Sequence, residues 1–193
     1  MSADSQPNMI SVFESGRTAR LFQHYKSLCG SRDMPSRAEL DPADFKHHLP
    51  YVYIAKIVDR GAGDIGFQIT LMGTELVYVF KQDFTGKLVR DIDLGGLEGV
   101  WRTSLLHAFE HRTPMVALDR VRLSNGTELD LEHLALPLAD DHRTIDRMFG
   151  CFDFPRLNDD WLKQNAAQID WSKKARVRVP KRLLISRLDV APL

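Results

Sequence analysis

Cysteine is scarce in this 193-residue chain: there are two, Cys29 and Cys151. They form no Cys-x-x-Cys pair and have no metal-ligand spacing, which excludes a disulfide framework and a zinc module built on thiolates. Long apolar runs are also missing. The longest, LPYVYIAKIV, is too short to cross a bilayer and contains Lys56. The N-terminal MSADSQPNMIS lacks the basic and apolar regions of a secretory signal. Net charge is zero, from 26 basic and 26 acidic residues, so no global field points to nucleic acid or a membrane surface. No Ser/His/Asp set or carboxylate pair lies in a supporting motif. These absences point to a cytoplasmic protein that is not an enzyme.

The composition that remains, 44% hydrophobic and 27% charged, is that of an ordinary globular chain. Its length allows one domain with extensions, or two small domains. Charge is unevenly placed. Ser172 to Leu193 holds seven Lys/Arg and one acid, so the preceding chain carries a net −6.

Residues 1–9 read as a disordered tail. Phe13, Leu21, Phe22, Tyr25 and Leu28 then recur near helical spacing and predict an amphipathic helix ending at Cys29-Gly30. Such a helix either covers its own domain or packs on another copy. Asp41, Pro42 and Asp44 predict a second, short helix ending before Pro50. Tyr51–Asp59 and Gly66–Met72, separated by DRGAGD, predict a hairpin. Thr74 suits the cap of a short helix through Phe80. Leu97, Val100, Trp101, Ser104, Leu105, Ala108 and Phe109 form the stripe of a longer helix, stopped by Pro114. Three more strands follow, at Met115–Leu123, Thr127–Leu138 and Thr144–Phe154. Two strands, helices and three strands joined by hairpins give an α+β domain: one antiparallel five-stranded sheet with its helices on one face.

This order resembles that of PAS domains. The local matches are MPSRAELDP before the first strand, FQITLMGTELVYVFKQDFTGK after it, and LALPLADD followed by RTIDRMFGCF at the end. They are similar to the stand-alone PAS proteins of bacteria. The resemblance covers residues 34–154, leaving residues 1–33 as a tail and amphipathic helix and 155–193 as a basic extension. It implies a fold that senses small molecules or light, or joins proteins together.

Within FQITLMGTELVYVFKQDFTGK, Thr85-Gly86-Lys87 has the look of a phosphate-binding loop. A Walker A motif needs four residues between its glycines and a Ser/Thr after the lysine. Here twelve residues separate Gly73 from Gly86, and Leu88 follows Lys87. A turn is the better reading. His107 and His111 form H-x-x-x-H on the long helix, the helix from which haem-binding PAS domains take an iron ligand. Glu110 is not placed as in H-E-x-x-H and spacing implies no third ligand, so no metal site is assigned. Cys151 lacks the helix motif and last-strand Gln of flavin-binding PAS domains, and reads as a small buried residue. Arg178 and Arg182 make R-x-x-x-R, without the companion motif of cyclic-di-GMP-binding domains. Val177, Val179 and LLI suit a strand or docking segment.

His133 is the most informative candidate. In TELDLEHLAL, alternation puts Leu129, Leu131, His133 and Ala135 on one face, with Glu128, Asp130 and Glu132 on the other. A PAS fold turns the first face toward its cavity, where His133 serves as a hydrogen-bonded core residue or as a ligand contact. The resemblance implies a cavity lined by Phe67, Ile69, Leu71, Leu76, Phe80, Trp101, Leu105, Leu131, His133 and Met148. The leading reading is a regulatory sensor or adaptor in signal transduction. It binds a small molecule and signals through a partner protein or as a homodimer formed by the N-terminal helix or the sheet. Two alternatives stand beside it, a ligand-free scaffold and a haem or metal sensor. The cofactor and the partner are not named by the sequence.

Overall fold

Strand formation follows the alternation of apolar and polar residues, and the turns between strands set the pairing. A computed structural model describes residues 13–155 apart from 60, 62 and 123–127, together with 160, 164 and 181–184. The elements are α1 Gly16–Cys29, β1 Val52–Asp59, β2 Ile65–Met72, α2 Thr74–Phe80, α3 Leu97–His111, β3 Met115–Arg122, β4 Glu128–Leu138, β5 Arg147–Asp153 and β6 Lys181–Leu184. The sheet runs β2-β1-β5-β4-β3-β6 and every pairing is antiparallel. The first five strands are those expected from the sequence. The sixth comes from the basic C-terminal segment, which lies along β3 with Leu184 opposite Met115. Arg178 of the R-x-x-x-R pair falls outside the described residues.

The far margin of the sheet is also covered in part. Ile69 donates its N–H to Lys87 O (2.9 Å) and accepts from Gly86 N–H (2.8 Å). Thr85-Gly86-Lys87 is therefore a turn clipped onto β2, with Gly86 at φ 88°, a conformation suited to glycine. Gly73 serves a different purpose. A Cβ there would lie 2.4 Å from the carbonyl oxygens of Leu49 and Pro50, so a bare backbone is needed where α2 leaves the sheet.

One expected helix did not form. Asp41 accepts from Ala43 N–H (2.8 Å) as a cap should, but residues 42–48 fold as successive turns instead of an α-helix. A single-turn 3-10 helix at Leu49–Tyr51 follows. Seven residues are few for a helix, and Pro50 disfavours α geometry at the residue before it. Phe45, buried within these turns, packs edge-on against Phe149.

The helices occupy both faces of the sheet. Trp101 of α3 meets Tyr53 of β1 and Phe152 of β5, which defines an inner face. α1 lies across the outer face over β4 and β5 and buries Leu21, Phe22, Tyr25 and Cys29 in the same continuous core. The hydroxyl of Tyr25 donates to Pro137 O (2.8 Å).

Two cross-strand carboxylates, Glu132 and Asp153, hold the start of α1. Glu132, 1% exposed, accepts from Glu14 N–H (2.6 Å), Ser15 N–H (3.3 Å) and the Thr18 hydroxyl. Asp153 accepts from the Ser15 hydroxyl and pairs with Arg17 (2.5 Å), whose guanidinium lies 3.4 Å from the centre of the Tyr51 ring. The first turn of a helix offers unpaired N–H groups and partial positive charge, which suits buried carboxylates. Burial still dominates for Glu132 and pushes its carboxyl above the usual range, against the pull of those donors. Glu132→Leu should cost about 1–3 kcal/mol in urea unfolding, because it orphans the α1 donors. Limited proteolysis should then cut preferentially within residues 16–29.

Candidate functional site

Under α3 the inner face of the sheet carries a cluster of aromatic rings. Tyr53, Trp101, Phe152, Phe80 and His133 stack or meet edge-on at centroid separations of 4.4 to 6.4 Å. Strand geometry places them. Tyr53 pairs with Gly150 across β1 and β5, and the tyrosine ring lies over that glycine. A Cβ on Gly150 would come within 2.2–2.4 Å of the ring, so the glycine gives Tyr53 its space. His133 pairs with Phe152 across β4 and β5, and their rings stack at 4.4 Å.

The polar atoms in this cluster are few and deeply buried. The Tyr53 hydroxyl and His133 Nε2 are 2.7 Å apart. Burial drives the imidazole pKa down to about 3 and raises that of the phenol. Both groups are therefore neutral near pH 7, and either arrangement of the shared proton leaves His133 Nδ1 facing the interior unpaired. Two further atoms are in the same position. The Trp101 indole N–H favours the ionised form of Tyr53 against burial, yet it makes no hydrogen bond of its own in the structure. Ser104 Oγ, almost one turn further along α3, is likewise buried without a partner. Leaving such an atom unpaired costs about 1–3 kcal/mol. Three such atoms, on β4 and α3, are buried here.

Nine of the ten expected lining residues are buried: Phe67, Ile69, Leu76, Phe80, Trp101, Leu105, Leu131, His133 and Met148. Register settles the side taken by β5. Met148, Gly150 and Phe152 face inward, while Phe149 meets Phe45 on the outer side. Leu71 does not belong to the set. It is 38% exposed, because the pairing of β1 with β2 shifts between Ile54 and Ala55. Ala55 faces Ile69 and Ile54 faces Leu71, so Thr70 is the extra residue of a bulge. One inserted residue reverses a strand's faces, and Leu71 turns outward beyond it.

Among the inward residues outside the expected lining, three bear on the site. Tyr53 stood in YVYIAKIV, an unbroken apolar run with no readable face, and Phe152 in a strand apolar on both sides. Ser104 was part of the α3 stripe, yet nothing marked its hydroxyl as unpaired. Cys151 is fully buried on the outer side, and burial pushes its thiol well above the ordinary value. The H-x-x-x-H pair on α3 has an acid, Glu110, beside it. His107, Glu110 and His111 each offer a ligand atom, and these atoms lie within 4.8 Å of one another.

A PAS-domain family model matches residues 13–153. The chain belongs to the PAS-domain family. The match takes in α1 and strands β1 to β5, and it places the chain among sensory signalling domains, a class that is generally non-catalytic. Solved structures with a similar arrangement are distant. A light-oxygen-voltage domain studied with a flavin analogue is 12% identical, with 63% of this chain and 87% of that one covered and a TM-score of 0.43. The PAS domain of a Colwellia psychrerythraea protein is 11% identical, with 58% and 94% covered and a TM-score of 0.40. VqmA bound to DPO is 10% identical, with 65% and 60% covered and a TM-score of 0.42. No curated protein matches the chain. Among the described residues, no helix of this PAS protein is long and apolar enough to cross a membrane.

The Tyr53–His133 pair should show itself in acid. An unfolded histidine titrates near pH 6.5, whereas folded His133 resists protonation until about 3. The unfolded chain therefore binds the extra proton across that window. The contribution of His133 is complete above about pH 6.5 and declines as pH falls, by at most about 1.4 kcal/mol per pH unit. Glu132, with its raised pKa, acts in the opposite sense. Its contribution is complete at low pH and declines as pH rises above the usual carboxylate range. The urea midpoint at pH 7 minus that at pH 5 should thus be smaller in a Tyr53→Phe/His133→Phe variant than in the parent chain.

Proposed function

We propose that this PAS protein is a regulatory sensor that holds a small, neutral, largely apolar molecule beneath α3. The observation that carries this reading is the unpaired buried trio of His133 Nδ1, Trp101 Nε1 and Ser104 Oγ. Trp101 can only donate, so the molecule must carry an acceptor such as a carbonyl or ring nitrogen. The aromatic neighbours favour a flat, uncharged shape, as an uncompensated charge at this depth would be costly.

Signalling would follow from β4. Glu132 and His133 are consecutive, one on α1 and the other against Tyr53. A molecule that repacks His133 shifts the strand that anchors α1, and so biases two arrangements of the helix. The partner that reads this change remains a signalling protein or a second copy. The apolar side of α1 is already buried within the chain, so such an association would use its outward side or a released helix.

One feature favours the ligand-free scaffold. The chain's own rings touch, with Tyr53 and Trp101 at 4.9 Å and His133 and Phe152 at 4.4 Å. Mass spectrometry of protein purified under native conditions separates the two readings. The sensor reading expects one small molecule released on denaturation, reduced severalfold in a Trp101→Phe/Ser104→Ala variant that folds normally. Its absence from the parent chain, including after incubation with extract, would leave the scaffold reading in place.

A further inference from the structure

We infer that His107, Glu110 and His111 on α3 form a binding site for a divalent transition-metal ion of the zinc class. The three residues are set apart from the interior site by depth, since Trp101, Ser104 and Leu105 are fully buried, although His111, seven residues on, lies on the Ser104 side of the helix. His107 is half-buried, while Glu110 and His111 are exposed.

Helix geometry brings the three together. Residues four apart lie one above the other along a helix, and a residue three along falls beside them. The imidazoles of His107 and His111 are parallel within 4°, with centroids 5.8 Å apart, close to one helical pitch. Glu110 supplies the carboxylate within the same 4.8 Å span. A tetrahedral zinc with bonds near 2.1 Å separates its ligand atoms by roughly 3.4 Å. Closing the difference takes a small turn of side chains that have freedom to move. Among the described residues, none of the three side chains is engaged in a hydrogen bond or ion pair that would resist this.

The donor set selects the ion. Two imidazoles with one carboxylate suit zinc, cobalt, nickel or iron(II), whereas calcium and magnesium prefer oxygen ligands throughout. The position helps as well. The three residues occupy the last two turns of α3, where the negative end of the helix dipole favours a cation. The neighbouring Arg112 donates to the carbonyl of Arg143. Three protein ligands leave a fourth position for water or an outside donor. The H-E-x-x-H template hides this set, because it places its glutamate one residue after the first histidine.

The test is a zinc titration of the full chain without a histidine tag, after stripping with EDTA, read by calorimetry or by competition with a chromophoric chelator. One equivalent should bind to the parent chain. His107→Ala and His111→Ala should each weaken binding by at least about tenfold, as loss of a ligand should cost no less than loss of its supporting partner. Glu110→Gln should weaken it measurably. Cobalt(II) should produce visible absorption that is lost in the His107→Ala/His111→Ala variant. Circular dichroism should show that these substitutions leave the fold intact. The inference is overturned if the double variant titrates like the parent chain, or if Glu110→Gln changes nothing. It also fails if the parent takes up less than one equivalent at about 100 μM free zinc, an affinity too weak to mark a site.

Discussion

A carboxylate sealed beneath a helix must be given donors, and for Glu132 these are the N–H groups of Glu14 and Ser15, just before α1, and the Thr18 hydroxyl in its first turn. The arrangement ties the N-terminal helix to the middle of the sheet through β4 and β5. It also explains why the outer face tolerates two acids as direct cross-strand neighbours. Asp153 is offset by Arg17, which in turn rests on Tyr51. Ser15 serves both acids, its N–H bonding Glu132 and its hydroxyl Asp153, so the two are coupled through the start of the helix.

The inner face is built on the opposite economy of polar groups. Its hydrogen bond between Tyr53 and His133 joins two groups kept neutral by burial, and the remaining polar atoms nearby have no protein partner. β4 separates the two regimes by the alternation of a single strand, with consecutive residues in each. A shift along β4 is therefore felt on both sides of the sheet at once.

Much of this was legible in the sequence because periodicity is a local property. The strand order, α1, α2 and α3 were all readable, and so was the inward direction of His133. What escaped depended on long-range partners. The outward acids of TELDLEH look like a solvated face, and Glu128 is indeed exposed, but Glu132 is sealed under the start of α1. Leu71 follows Phe67 and Ile69 in perfect alternation, and only the pairing with β1 reveals the bulge that turns it out. Tyr53 needed the gap left by Gly150, one hundred residues away in order of magnitude, before its direction had meaning. Residues 42–48 carry helix signals but are governed by Pro50 and by the burial of Phe45.

The margins of the sheet have a consequence for how this protein meets others. β6 occupies the main-chain groups of β3 from Met115 to Leu118, and the Gly86–Leu88 segment occupies those at Gln68 and Ile69. Exposed strand edges are sticky templates for any extended peptide. Here the chain lays its own backbone along part of each margin, which shortens the stretch of β2 and β3 open to an added strand.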